Sequence, residues 1–238
     1  MRIEVFTDAD TVALETAKLI AKTARDAVAA RGKFVMAVSG GKTPWIMLRD
    51  LANEDVPWNG VHVVQVDERV APQGDSDRNL THLHESLLEH APLRSEQIHA
   101  MPVEASDLEA ACLQYVRTLD KIAGSPPVLD LVHLGLGPDG HTASLVPGDP
   151  ALGVSDADVA LTGIYQRRQR MTLTYPIINR ARLVLWVVTG SEKVGMLARL
   201  QAGDVSIPAG RVNRDRSVVL ADRAALGQVV KEVKTGVA

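Results

Sequence analysis

The chain has 238 residues, is 46% hydrophobic and 23% charged, and carries a formal net charge of −3. That is enough apolar material for one substantial core, and no run of like charges creates a field for nucleic acid or an anionic membrane. With Cys112 as its one cysteine an intrachain disulfide is excluded, and no apolar stretch has the length of a signal peptide or membrane span. A cytoplasmic location and a buried structural thiol are the expectations.

In chain order, short β-branched runs alternate with segments of helical period. Residues 2–6, 33–38, 61–66, 128–134, 182–188 and 217–220 read as strands. Between the first two, residues 9–30 place Ala13, Ala17, Ile20, Ala24 and Val28 on one helical face, with Asp8 as N-cap. Ser106 and Glu109 have capping-box spacing ahead of Leu113, Val116 and Ile122, and Gly124 ends that helix. Residues 146–170 are the least regular and read as an excursion near a site. The pattern predicts an α/β class, as a single-domain Rossmann-like unit over 1–238 with a mostly parallel sheet and helices on both faces.

Ligands of open α/β sheets bind beyond the carboxyl ends of the strands, so the loops there carry the chemistry. After the second strand, Ser39-Gly40-Gly41-Lys42-Thr43-Pro44 allows close backbone approach. Thr43 suits a cap, Pro44 a first helical position, and free amides there attract anions; an ordinary glycine turn is the alternative. Asp67-Glu68-Arg69 follows the third strand, either to position a substrate or as mutually neutralised charges.

After the fourth strand comes Gly135-Leu136-Gly137-Pro138-Asp139-Gly140-His141-Thr142-Ala143-Ser144. Its formal G-x-G-x-x-G match, with Asp156 and Asp158 downstream, reads as accidental. The motif lies mid-chain, and Pro138 removes an amide that a pyrophosphate would need. What the loop does offer is His141 two residues after Asp139, a base with an orienting carboxylate that suits water activation. His62 and His133 fall in strands, and His82, His84, His90 and His99 are given no part. His82-x-His84 lacks a third ligand, so no metal is expected. Arg170 and Lys193 fit an anion site, although taken alone each reads as a solvated surface charge.

Taken together these loops resemble the 6-phosphogluconolactonase family, within the wider group that includes glucosamine-6-phosphate deaminase. The likeness spans nearly the whole chain, and Gly135 through Leu145 is its most specific part. The resemblance implies hydrolysis of 6-phosphoglucono-δ-lactone to 6-phosphogluconate in the oxidative pentose phosphate pathway, without metal or redox cofactor. It makes His141 the general base with Asp139 its orienting partner. Arg69 would face the substrate, Asp67 and Gly140 would belong to the same site, and Ser39, Gly40, Gly41, Lys42, Thr43, Arg170 and Lys193 would hold the phosphate. The partner is then a small sugar-phosphate lactone, with no nucleic acid and no membrane, and a monomer is the default.

Two departures stand out. Val146 occupies a position where the deaminase branch carries glutamate, and Arg78 precedes Asn79 where lactonases commonly have serine; Gly210 after Pro208-Ala209 lies in a variable segment. The alternatives are an amino-sugar-phosphate deaminase or isomerase and a non-catalytic sugar-phosphate sensor. A sensor would need no Asp139-His141 pair, and no DNA-binding extension is present.

Overall fold

The computed structural model describes residues 1–228, so the last ten residues of the expected domain lie outside the described part. In chain order the elements are β1 (Arg2–Phe6), α1 (Ala9–Arg31), β2 (Phe34–Val38), α2 (Lys42–Leu51), β3 (Val61–Gln65), β4 (Asp67–Arg69), α3 (Asn79–Leu83), β5 (Ile98–His99), α4 (Leu108–Ala123), β6 (Leu131–Leu134), β7 (Val159–Leu161), β8 (Arg170–Leu173), α5 (Tyr175–Arg180), β9 (Val184–Val188), α6 (Val194–Ala202) and β10 (Ser217–Asp222). All six strands expected from the apolar runs form, and with the short β5 they make a seven-stranded parallel sheet ordered β1-β10-β9-β6-β2-β3-β5.

Successive side chains of a strand point to opposite faces, and here each face has its own core. Val35 and Ala37 of β2, Val64 of β3 and Trp186 of β9 join α4, α5 and α6 on one side. Phe34 and Met36, Val63 and Leu185 join α1 and α2 on the other. Both faces are therefore dry, which is why these strands read as continuous apolar runs rather than alternating ones. Full burial of each such aliphatic side chain stabilises the fold by roughly 1.5–3 kcal/mol before the entropy of ordering is counted.

The α1 helix is capped as its sequence predicts: Asp8 accepts from the Thr11 amide, and Gly32 closes the helix at φ 73°. The α4 start is different. Asp107 is the N-cap and accepts from the Ala110 amide, so the helix begins one residue beyond a Ser106 cap and the Ser106–Glu109 box does not form. That phase buries Ala111, Cys112, Tyr115, Leu119 and Ile122 and leaves Leu113 62% exposed. Cys112 is the expected buried thiol, and burial pushes its pKa up to about 11. In α2 the helix begins at Lys42 with Gly41 as N-cap, so Pro44 is the third helical residue and Thr43 makes no cap.

A second sheet was not expected. Its strands run β4-β8-β7, all antiparallel, with Asp67 opposite Thr172 and Arg69 opposite Arg170. Asp67-Glu68-Arg69 is thus a strand rather than a free loop, and the irregular 146–170 stretch contains β7 and the turn leading into β8.

Candidate active site

From β2 the chain moves outward through β3 to β5, then returns to lay β6 on the other side of β2 and continues through β9 to β10. The loops after β2 and β6 consequently leave neighbouring strand ends in opposite directions, which opens a crevice at the switch point. A cleft of about 720 Å³ occupies it, lined by Lys42, Arg69, Arg170 and Lys193 among its cations and by Asp67 and Asp77 as its carboxylates. Its field favours an anionic ligand.

The Gly135–Ser144 loop is closed on itself. Gly137 donates its amide to the His141 carbonyl at 2.9 Å, and Gly140 donates to the Gly137 carbonyl at 3.1 Å. Those amides are spent inside the loop, so it cannot cradle a pyrophosphate, and the dinucleotide fingerprint is a coincidence of spacing. Gly140 takes φ 80°, and Ile207 packs against its Cα where a side chain would collide.

The tight loop puts His141 Nδ1 2.5 Å from Asp139 Oδ1, an oxygen that also accepts the His141 amide at 3.1 Å. Partial burial raises the Asp139 pKa, but the His141 amide and imidazole outweigh it and hold the carboxyl below its usual range. An ionised Asp139 fixes the proton on Nδ1 and leaves Nε2 as the acceptor; among the described residues Nε2 has no hydrogen-bond partner, and the ring lines the cleft.

Across the cleft, β4 and β8 present Asp67, Arg69 and Arg170. Ser144 donates its hydroxyl to Asp67 Oδ2 at 2.6 Å, and Asn79 donates to the Asp67 carbonyl at 3.0 Å. Asn79 Oδ1 accepts from Arg69 Nη1 at 2.7 Å, so one amide side chain orients both the acid and the base of β4. Glu68 organises this from beneath. Fully buried, it accepts the amides of Arg69, Asn79 and Leu80, each at 2.8 Å, satisfying the start of α3. Arg78 is its counter-charge at 3.1 Å, placed as an ion pair rather than an aligned hydrogen bond, and its Nη1 donates to both the Ala71 carbonyl and Glu104.

Arg170 is only 4% exposed, and burial followed by the neighbouring Arg69 charge lowers its pKa. The Nε atoms of Arg69 and Arg170 are both buried without a protein partner, donor capacity held ready beside the cleft. On the opposite wall the Ser39 amide is taken by buried His133, whose pKa is pushed down to about 4 so that Nδ1 stays an acceptor. The amide-rich start of α2 therefore offers Gly40 through Lys42 to the cleft, with Lys193 entering from the turn after β9. Gly190 begins that turn at φ 99°, its amide held by Asp222.

Of the residues singled out in the sequence, Ser39, Gly40, Gly41, Lys42, Asp67, Arg69, His141, Arg170 and Lys193 line the cleft together. Three sit behind it. Asp139 braces His141, Gly140 shapes the loop, and the Thr43 hydroxyl turns to Thr189 at 2.8 Å, so Thr43 contributes no side chain to the cleft. Sequence reasoning missed Trp45, Asn79, His82 and the turn at Gln166–Arg168, which all reach the cleft; the His82 ring lies tilted at 34° to Trp45, with centroids 5.5 Å apart. Asn79 opens α3 directly after a polar loop, the one sequence feature that could have drawn attention to it.

A family model described as glucosamine-6-phosphate isomerases/6-phosphogluconolactonase matches residues 7–220. The chain belongs to this family. It is 35% identical to a 6-phosphogluconolactonase of Mycobacterium tuberculosis over 95% of this chain and 98% of that one. A Synechocystis 6-phosphogluconolactonase is 38% identical over 74% of this chain and 75% of its own. Among solved structures, the 6-phosphogluconolactonase of Thermotoga maritima superposes with a TM-score of 0.82 at 28% identity, covering 93% of this chain and 98% of that one. A monomeric glucosamine-6-phosphate deaminase superposes equally well at 0.82 but at 18% identity, so both branches share the fold.

Proposed function

We propose that this protein hydrolyses 6-phospho-D-glucono-1,5-lactone to 6-phosphogluconate, the lactone step of the oxidative pentose phosphate pathway. The observation that carries the reading is the braced His141 imidazole with an unoccupied Nε2 facing a cationic cleft. The extent of identity to named lactonases supports it.

In this reading Nε2 removes a proton from water as its oxygen attacks the lactone carbonyl. Negative charge then develops on the carbonyl oxygen. The amides of Gly137, Gly140 and His141 are already committed, which leaves Arg69 as the cation for that charge. Collapse breaks the ring C–O bond, and the imidazolium returns its proton to the departing ring oxygen. The α2 amides, Lys193 and Arg170 hold the phosphate, while Asp67, oriented by Asn79 and Ser144, takes sugar hydroxyls or steadies Arg69. Neither a metal nor a redox cofactor has a step to perform. The Val146 side chain is buried in the position expected to hold an acid in a deaminase, which weighs against ring-opening acid–base chemistry.

The test is a coupled assay in which 6-phosphogluconolactone is generated enzymatically and 6-phosphogluconate is timed with wild type and His141→Ala. Loss of a positioned base removes roughly 10²–10⁴-fold of kcat with the fold retained. Wild-type turnover no faster than spontaneous hydrolysis would defeat the reading, and ammonia release from glucosamine 6-phosphate would replace it. A cytoplasmic monomer belongs to the same reading, and size-exclusion chromatography with light scattering checks the second half.

A further inference from the structure

The turn between β7 and β8 is built against its own sequence. Tyr165 and Arg168 exchange backbone hydrogen bonds at 3.0 and 3.2 Å, enclosing Gln166 at φ 49° and Arg167 at φ 68°. Consecutive left-handed residues at a two-residue turn ordinarily call for Asn and Gly, so Gln and Arg are strained there. Contacts on three sides hold the strain in place. Arg168 bonds Asp75 at 2.9 Å and Asp77 at 3.1 Å, Gln166 accepts from Arg170 Nη2 at 3.1 Å, and the Tyr165 hydroxyl donates to Asp139 Oδ2 at 3.3 Å.

The two oxygens of Asp139 are thereby divided. Oδ1 serves the His141 ring and amide, and Oδ2 serves Tyr165. The same tyrosine ring meets the His141 ring edge to face at 5.6 Å and lies under the Arg170 guanidinium at 5.0 Å. Its phenol is held protonated, first by partial burial and then by the Asp139 charge, so it acts as the donor.

We propose that Tyr165 is a positioning residue for the reaction: its hydroxyl locks the second oxygen of Asp139, and its ring seats Arg170, so that the water-activating dyad and the phosphate-binding cation are set by one side chain. The inference rests on His141 being the base. Tyr165 touches no reacting atom. It acts through Asp139 and Arg170, and it separates the two effects, because the hydroxyl belongs to one and the ring to the other.

Tyr165→Phe keeps the ring and loses the donor. Expected is a roughly 10-fold fall in kcat with KM for the phosphorylated lactone unchanged, the lower end of the scale for a hydrogen bond to a charged group. Tyr165→Leu loses both, and KM for the phosphorylated lactone rises roughly 3- to 10-fold as well, while KM for unphosphorylated gluconolactone stays put. In an Asp139→Asn background, Tyr165→Phe should have less than about a 2-fold further effect, because its route through the carboxylate is already cut. An unchanged kcat in Tyr165→Phe, or the same factor in both backgrounds, overturns the proposal. An activity-independent measurement separates this from a wrong reaction: the Nδ1 proton of His141, assigned by its loss in His141→Gln, should move in the NMR spectrum of unliganded Tyr165→Phe. A stationary resonance overturns the tyrosine's role even in a protein with no lactonase turnover, and a moved one sustains it there.

Discussion

The His141 ring lies against the Cα of Gly137 so closely that a methyl group there would fall 2.1 Å from Nδ1. Gly137 has an ordinary negative φ, so its backbone would accept alanine; the collision is with the imidazole alone. Since the ring is the part free to move, Gly137→Ala should displace the base rather than unfold the chain. Expected is a fall in kcat of roughly 10²-fold or more, approaching the loss of the base itself, with the melting temperature little changed. Circular dichroism melts run beside the coupled assay check it, and equal losses in both would point to misfolding instead.

Arg170 and Lys193 should govern recognition of the phosphate. Replacing either with glutamine removes a charge-assisted contact, and kcat/KM for the phosphorylated lactone should fall roughly 10- to 100-fold. The ratio of kcat/KM for phosphorylated over unphosphorylated lactone should shrink with it. Competitive inhibition by inorganic phosphate should weaken in parallel. Variants that slow both lactones equally would remove these residues from phosphate binding.

Glu68 is predicted to be a stability residue with a catalytic consequence. Glu68→Gln leaves buried Arg78 with only the half-exposed Glu104 as counter-charge and sets an amide NH₂ against donors that a carboxylate had accepted. Breaking a buried pair costs about 3 kcal/mol or more, roughly 10 °C of melting temperature for a chain of this size. Because Asn79 loses its seat and Arg69 hangs on Asn79, kcat/KM of the remaining folded protein should also drop. Thermal melts and kinetics well below the melting point separate the two effects.

The expected strands and the His141 loop were legible because their causes are local. A parallel strand with two dry faces must be apolar at every position, and Asp139-Gly140-His141 reaches only across itself. The β4-β8-β7 sheet was not legible, because β4 is three polar residues whose partners lie about a hundred positions away. Its hydrogen bonds, and not its side-chain pattern, make it a strand. Tyr165 was overlooked and His82 set aside for the same reason: Asp139 and His141, which Tyr165 meets, and Trp45, which His82 meets, are all distant in the chain. Ser106 misled because Asp107 beside it caps as well, and the choice between them falls to the packing of Tyr115 and Leu119.

Acid should weaken the fold through His133. Burial depresses its pKa to about 4, so the folded protein keeps it neutral while the unfolded chain takes up a proton near the ordinary value of 6.5. Its contribution is therefore intact above pH 6.5 and lost progressively as the pH falls toward 4, by up to about 3 kcal/mol. His99, also depressed to about 4 by burial and then by His62, titrates in the same window. His133→Asn retains an acceptor for the Ser39 amide and should flatten the pH dependence of denaturant midpoints between 6.5 and 4. A slope equal to wild type would assign the whole effect elsewhere.

The pairing of β1 with β10, Arg2 beside Val218 through Phe6 beside Asp222, has a bearing on how the protein is made. On the ribosome β1 emerges long before the neighbour it pairs with, and until β10 leaves the exit tunnel β1 has no strand partner and only α1 to lean on. The middle of the sheet, β2 with β3, can zip up early. Such distant pairing slows folding and prolongs the exposure of strand edges. Newborn copies of this protein should accordingly spend their most aggregation-prone interval just before β10 emerges, when the cleft's walls exist and β1 has no strand beside it.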